Sequence, residues 1–137
     1  MSTSLWSLLG FTAWTLLLVL GLVLYRSAMV LGGRRRANAW GRNQPSQDPE
    51  FFQRLAHAHA NCLENLPLFA AVILIAGLTD KWELTDPLSG AYLAFRICQS
   101  TVHLTGTSPW QVVIRVSFFL PQLLLLGWMM GRLAGVL

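Results

Sequence analysis

Charged residues are scarce in this sequence. Lysine, arginine, aspartate and glutamate together make up only 12% of the 137 residues, whereas 54% are hydrophobic. So small a charged fraction excludes an ordinary soluble domain, and the length excludes more than one domain. Cysteine is scarce too, and because Cys62 and Cys98 both fall inside predicted membrane helices, a structural disulfide framework is not indicated. We therefore expect a small integral membrane protein.

Several familiar signals are also missing. The sequence contains no internal repeat, no low-complexity tract and no retention or prenylation signal at its C-terminus. Its first apolar run has no basic residue before it and is too long for a cleaved signal peptide, so we expect a retained first helix. His57 and His59 lie on different helix faces, and no carboxylate and histidine motif has metal spacing, so no metal or haem site is expected. The basic run is short and lies beside a membrane segment, which argues against nucleic-acid binding.

Four stretches are long and apolar enough to cross a bilayer, whose hydrocarbon core needs roughly 20 mostly apolar residues. They cover residues 5–31, 51–78, 87–106 and 109–133. This pattern predicts an all-α fold, an integral membrane four-helix bundle that forms one domain over residues 1–137. More polar groups fall inside these stretches than one small bundle can satisfy, which favours an oligomer.

The one long polar loop sets the expected orientation. Residues 32–50 hold four arginines against two carboxylates: Arg34, Arg35, Arg36 and Arg42 against Asp48 and Glu50. Cytoplasmic loops carry an excess of arginine and lysine, so we place this loop in the cytoplasm and both termini on the opposite side. The same arginines meet anionic headgroups in this orientation, which makes membrane lipids expected partners. The compactness of the chain favours a bacterial inner membrane.

Polar residues recur with helical spacing inside the last three stretches. One face of the second carries them at i, i+3, i+7 and i+10: Arg54, His57, Asn61 and Glu64. One face of the third carries them at i, i+3 and i+7: Arg96, Gln99 and His103. In the fourth, Arg115 and Gln122 share a face. Because unpaired polar groups are costly in hydrocarbon, these faces should point into the bundle or into a wet cavity.

The start of the second stretch has a more specific pattern. It runs from Pro49-Glu50-Phe51 through Arg54, Asn61-Cys62 and Glu64 to Pro67-Leu68-Phe69. This pattern resembles the second-helix signature of the membrane-associated proteins in eicosanoid and glutathione metabolism (MAPEG). That family includes microsomal glutathione transferases, leukotriene C synthase, microsomal prostaglandin E synthase and the lipoxygenase-activating protein. The resemblance implies a homotrimer with glutathione as co-substrate between neighbouring bundles and a lipophilic substrate that enters from the membrane.

The resemblance also implies residues that bind glutathione. Relatives hold its carboxylates with arginines near the end of helix one, and Arg35 and Arg36 are the nearest matches here. An arginine suits this task because its planar fork bonds both carboxylate oxygens. Asn61 and Glu64 match the residues that bond the tripeptide backbone and its free amino group. His57 stands where relatives commonly carry arginine, and it retains a hydrogen-bond donor.

Two further binding positions lie in the third stretch, where Gln99 and His103 replace the ring residues of relatives. Relatives also place an arginine near the start of helix four, close to the sulfur of glutathione, and Arg115 is the basic residue available there. A positive charge near a thiol favours the thiolate, which is the nucleophile, so Arg115 is the expected catalytic residue. The implied activity is that of a membrane-bound glutathione-dependent transferase or peroxidase acting on lipophilic electrophiles.

Other interpretations stay open. A non-enzymatic lipid-binding or scaffold protein of the same fold would keep the bundle without activating a thiol. Arg54 and Arg96 are interpreted as structural, with Arg96 as the buried partner of Glu64 or of a carbonyl group. In that case Glu64 serves only to hold the bundle together, and Arg115 has the alternative of an interfacial arginine whose head group reaches the headgroup region.

Overall fold

Four α-helices account for most of the chain. The computed structural model describes residues 1–41 and 45–137, and the expectation for Arg42 therefore lies outside the described residues. The helices are α1 (Thr3–Leu31), α2 (Glu50–Leu78), α3 (Asp86–Thr105) and α4 (Pro109–Leu133), with a short 3-10 helix at Trp82–Leu84 before α3. No strand occurs in the part of the chain that is described. The expected all-α fold with four helices is confirmed, and the observed limits differ from the expected ones by at most two residues.

Local chemistry explains where these helices begin. Ser2 caps α1, since its hydroxyl accepts a hydrogen bond from the Leu5 amide at 3.2 Å. Ser108 and Gln111 form a reciprocal capping box at the start of α4, where Pro109 occupies the first helical turn. Pro87 takes the corresponding place in α3. A helix that starts with a capped end leaves fewer unpaired amides at the membrane boundary.

The helices differ in length and apolar content, which decide whether a helix can cross a bilayer. Within the described residues, α1, α2 and α4 are each long and apolar enough to cross a bilayer. The sequence predicted four such stretches, but α3 does not reach the same apolar content. Its 20 residues bury a polar face instead, which includes Arg96, Gln99, Ser100 and His103. Helix α3 therefore depends on its neighbours to cover that face.

Helix α3 lies at the centre of the packing and contacts each of the other three helices. Phe69 of α2 stacks on Tyr92 of α3 with ring centroids 4.2 Å apart and planes only 2° from parallel. Phe11 of α1 packs against both rings, with centroids 6.1 Å and 6.2 Å away. All three side chains are almost completely buried. These rings form an aromatic core in which offset or tilted pairs add to the burial of apolar area.

Short hydrogen bonds join α1 to α3 at the end opposite the long loop. The Asp86 carboxylate accepts a bond from the Ser4 amide at 2.8 Å, and the Ser4 hydroxyl lies 2.8 Å from that of Thr85. One turn along, the hydroxyls of Ser7 and Ser89 are 3.3 Å apart. Small hydroxyl side chains let two membrane helices approach closely and bond across the interface. Asp86 also places a negative charge at the N-terminus of α1, where the helix dipole favours it.

We predict that Asp86→Ala lowers the free energy of unfolding by about 1–2 kcal/mol, because it removes both the hydrogen bond to α1 and the favourable charge at the helix end. Unfolding of purified protein in mixed micelles by sodium dodecyl sulfate measures the change. Glu83→Ala is the matched control, since Glu83 is an exposed carboxylate in the same connection and makes no hydrogen bond to another described residue. An equal effect of the two substitutions would refute the capping role of Asp86.

Candidate functional site

A fully buried arginine lies at the middle of the bundle. Arg96 is 0% exposed, and its Nη1 donates a hydrogen bond of 2.6 Å to Oδ1 of Asn61 on α2. Its guanidinium carbon lies 5.5 Å from the ring centroid of Phe11 and 5.9 Å from that of Phe119. The aromatic faces attract the cation and cover it from the membrane. The expected partner of Arg96 was Glu64 or a carbonyl group, and the structure pairs it with the side-chain carbonyl oxygen of Asn61 and not with Glu64.

A second polar pair, of two side-chain amides, links α3 to α4. Nε2 of Gln122 donates to Oε1 of Gln99 at 3.0 Å and to the Phe118 carbonyl at 2.7 Å. Both glutamine side chains are buried, Gln122 completely. Gln122 stands two turns beyond Arg115 on α4, and the sequence had already placed these two residues on one face. The Phe118 carbonyl only accepts, so it must face the nitrogen of Gln122. Because that nitrogen also faces Gln99, the atom of Gln99 at this contact is its oxygen.

Beside these two pairs lies a cavity of about 170 Å³, which we call the polar cavity. Its polar lining comes from Asn61, Gln99 and Arg115, and its apolar lining from Val112, Val116 and Phe119. Arg115 is half-buried, and its Nε is buried without a hydrogen-bond partner among the described residues. Three of the residues that the sequence singled out on three different helices are thus brought to one cavity. The arrangement presents a cation and two amides in a mostly apolar pocket, which suits an anionic group.

Other predicted site residues lie elsewhere. Glu64 is exposed on α2, and its side chain makes no ion pair or hydrogen bond with another described residue. His57 lines a different, smaller cavity of about 110 Å³ near the end of α1. The imidazole of His103 is buried and its centroid is 6.3 Å from that of His57. In a single chain these residues do not converge with the polar cavity.

The arginines of the long loop occupy two kinds of environment. Arg35 donates to the side chain and the carbonyl of Gln47 at 2.9 Å and 2.7 Å. The Arg36 side chain is exposed and makes no hydrogen bond to another described residue. Arg54 joins α2 to the end of α3, since its Nε donates to the Leu104 carbonyl at 3.0 Å, and it also pairs with Glu50 at 3.3 Å. Arg34 and Arg36 are thus the exposed loop arginines whose side chains make no hydrogen bond to another described residue.

Sequence reasoning missed the group that holds this loop. Asp48 is a buried carboxylate that accepts hydrogen bonds from the Tyr25 hydroxyl at 3.1 Å and the Trp40 indole at 2.8 Å. Its own carbonyl accepts a bond of 2.6 Å from the Gln53 side chain. Tyr25 in turn stacks on Phe52 with ring centroids 3.6 Å apart. A tryptophan in an otherwise polar loop was the available signal, but its partner could not be read from spacing.

The described residues hold no cluster of metal-binding side chains. Among residues 1–41 and 45–137, no group of three or more histidine, cysteine, aspartate or glutamate side chains is arranged to hold a metal ion. Cys62 is buried against the Ser100 hydroxyl at 3.4 Å, whereas Cys98 is exposed on another face.

Comparison with known protein families decides the broad identity of the chain. The model of the MAPEG family matches residues 4–135, nearly its whole length. The chain belongs to the MAPEG family. A search of curated proteins finds no match. The resemblance read from the second helix is thereby confirmed, and it places this four-helix membrane protein in a family of glutathione and eicosanoid metabolism.

We predict that Asp48→Ala in this MAPEG protein accelerates tryptic cleavage at Arg34, Arg35 or Arg36 on the order of tenfold. Two hydrogen bonds to a buried charge are lost, and proteolysis follows the population of the open loop. Gel and mass analysis of timed digests in detergent measure the rate. Glu83→Ala, in the connection between α2 and α3, should leave the cleavage rate unchanged. Equal rates for the wild type and both variants would show that the hydrogen bonds of Asp48 to Tyr25 and Trp40, the Asp48 clamp, do not hold the loop.

Proposed function

We propose that the protein is a membrane-bound glutathione-dependent transferase or peroxidase that acts on lipophilic electrophiles. The observation that carries the proposal is the polar cavity, where Arg115 stands with Asn61 and Gln99 in an apolar setting. Family membership supports glutathione as the co-substrate. In the transfer reaction the sulfur of glutathione gives its electron pair to an electrophilic carbon, a C–S bond forms, and the displaced electron pair leaves with the acceptor or its leaving group.

The charge balance of the polar cavity supports a thiolate. No carboxylate of a described residue lines it, so the positive charge of Arg115 has no counterion among the residues around the cavity. Electrostatic interactions are strong where apolar walls exclude water, and a preorganised cation costs little reorganisation during the reaction. An anionic sulfur provides the missing negative charge, and Arg115 is the catalytic residue of the proposal.

The rest of the tripeptide extends beyond this cavity. Glu64 binds the free amino group, and Arg35 and Arg36 bind the carboxylates at the loop end. His57 and His103 supply further hydrogen bonds to the glutathione backbone along the same side of α2 and α3. Arg35 and Arg36 hold the carboxylates at the loop end, nearest to water. Glu64 lies three residues beyond Asn61 along α2, within the span, where its pairing with the amino group offsets the cost of burying both charges.

Glu64 also supports oligomerisation. A carboxylate that is exposed within a span of one chain would face lipid, and such a group normally faces protein or water. A neighbouring copy of the chain covers Glu64 in the proposed homotrimer, with glutathione between adjacent bundles. Helix α3 is the fourth crossing segment of the proposal. It can cross despite its polar face, because α1, α2 and α4 shield that face from lipid.

With four crossings, both termini lie on the same side of the membrane. The arginine-rich loop at 32–50 is cytoplasmic and the termini are on the opposite side, in keeping with the distribution of positive charge. Lipid headgroups then contact the exposed Arg34 and Arg36. The compact chain suits a bacterial inner membrane.

One observation favours a second function, that of a lipid-binding or scaffold protein. An apolar cavity of about 320 Å³ lies between α2 and α4 and is lined by Leu68, Ala71, Val72, Ile75, Met130, Leu133 and Ala134. Its lining is suited to an acyl chain, and binding there needs no thiol chemistry. Intact protein that binds a fatty acid but never ionises glutathione would favour this alternative.

We predict that glutathione bound to the purified protein shows the ultraviolet absorption band of a thiolate. Arg115→Ala should remove the band because the compensating charge is lost, and Glu64→Gln should weaken glutathione binding about tenfold through loss of an ionic hydrogen bond. Difference spectra during titration with glutathione give both values. Arg132→Ala is the matched control, since Arg132 is an exposed arginine in the last turn of the same helix. A wild-type protein that remains trimeric and shows no thiolate band would sink this function.

We predict that native mass spectrometry in detergent detects an assembly of three 15.3 kDa chains. The trimer should persist in Arg115→Ala, because this substitution removes a ligand contact and leaves the exposed faces of the bundle unchanged. A monomer at every detergent concentration tested would contradict the proposed cover for Glu64.

A further inference from the structure

The two amides of the polar cavity have fixed orientations. Asn61 lies 2.6 Å from Nη1 of Arg96, and an arginine has no acceptor. The Asn61 atom that faces Arg96 is therefore the oxygen Oδ1, and the amide cannot turn over without opposing two donors. Nδ2 of Asn61 makes no hydrogen bond to another described residue.

The orientation of Gln99 follows from an acceptor rather than from a donor. The Phe118 carbonyl only accepts, so the Gln122 atom 2.7 Å from it is the nitrogen Nε2. The same nitrogen reaches Gln99 at 3.0 Å, so the atom that Gln99 presents there is Oε1. Oε1 of Gln122 is buried and has no hydrogen-bond partner among the described residues. If the amide were turned over, this oxygen would instead lie against the Phe118 carbonyl oxygen and be repelled by it. Nε2 of Gln99 likewise has no partner among the described residues.

We infer that the polar cavity is lined by donors alone and selects the anionic form of the reacting group, with Arg96 and Gln122 as positioning residues that set this polarity. Among the described residues, the polar side-chain groups that line it are the Asn61 and Gln99 amides, whose nitrogens remain for a ligand, and the Arg115 guanidinium. The identity of the ligand as glutathione rests on the proposed function. The polarity of the cavity rests on the side chains of Asn61, Arg96, Gln99, Gln122 and Arg115 and on the Phe118 carbonyl.

Donor-only lining discriminates between forms of sulfur. A thiolate accepts hydrogen bonds from both amides and from Arg115, whereas a neutral thiol would need an acceptor for its own proton. A thioether is a weak acceptor and carries no charge. Val112, Val116 and Phe119 complete the wall with apolar surface, which suits a large polarisable anion and strengthens its attraction to the donors. Specificity thus comes from donors that stay unpaired unless an anion is present.

Replacing each cavity amide by the acid of the same shape changes a hydrogen-bond donor that faces the cavity into an acceptor. In Asn61→Asp one oxygen stays on Arg96 and the other faces the cavity, and in Gln99→Glu one oxygen stays on Gln122 and the other faces the cavity. Asn38→Asp is the matched control, an amide-to-acid change at an exposed loop residue. Gln122→Met and Arg96→Met release the orientation of Gln99 and Asn61 while keeping both cavity amides. If Arg96→Met fails to fold, Gln122→Met still tests the positioning role.

The readout is the ratio of the dissociation constants for S-methylglutathione and glutathione, measured by calorimetry in detergent at pH 9, where a free thiol is mostly ionised. We expect a ratio of at least about 10 in the wild type and in Asn38→Asp, because hydrogen bonds to a charge are lost with the thioether. The ratio should fall to about 1 in both acid variants and at least threefold in Gln122→Met. A structural role of Gln122 would weaken both ligands equally and leave the ratio unchanged.

A second probe separates this inference from the proposed function. Sodium thiocyanate supplies a polarisable monoanion without a peptide, and its effect on the melting temperature is compared with that of sodium chloride at equal concentration. Stabilisation by thiocyanate in the wild type, absent from Asn61→Asp, in a protein that binds no glutathione would uphold the donor-only cavity and refute the transferase. A glutathione thiolate band that Arg115→Ala removes, together with a ratio unchanged in both acid variants, would overturn the donor-only cavity alone. Absence of binding by every probe would overturn both.

Discussion

The hydrogen bond between Arg96 and Asn61 buries a full positive charge at the centre of the bundle, and the other helices are arranged around it. An isolated cation in an apolar medium is very costly, so the group must be covered by dipoles and aromatic faces. Helix α3 supplies Arg96, α2 supplies Asn61, α1 supplies the ring of Phe11 and α4 that of Phe119. One guanidinium therefore contacts all four helices, and removing any of them would expose it to lipid or leave it unpaired.

This arrangement explains why the least apolar helix is the central one. Helix α3 contacts the other three, which cover the polar residues that would make it a poor membrane segment by itself. Two carboxylates fasten the ends of the bundle. Asp86 joins the start of α3 to the start of α1, and Asp48 holds the long loop against the end of α1 through Tyr25 and Trp40. The bundle is thus held at its middle by a buried cation and at its ends by anions near water.

The sequence was sufficient for the helices and for the buried polar face of α3. Hydropathy gives length, and a period of 3.6 gives the face, so the stripe that holds Arg96 is buried as predicted. In the stripe that holds Asn61, however, His57 and Glu64 are exposed in the single chain. Periodicity does not give depth or the choice of neighbour. Glu64 or a carbonyl group was the expected partner of Arg96, and the contact is made by the side-chain carbonyl oxygen of Asn61, three residues before Glu64 on α2. The Asp48 clamp was missed since Tyr25 is 23 residues away in the chain.

The polarity of the cavity is harder still to read from residue types, because asparagine and glutamine each carry a donor and an acceptor. Only the neighbours decide which one meets a ligand. Here one amide is oriented by a group that can only donate and the other by a group that can only accept, and both choices expose nitrogen. The buried charge that organises the bundle thus also orients Asn61. Both the stability of the bundle and the selectivity for a ligand therefore depend on Arg96. Because a substitution of Arg96 can weaken binding simply by destabilising the fold, its effect on selectivity has to be judged by the relative affinity for two ligands.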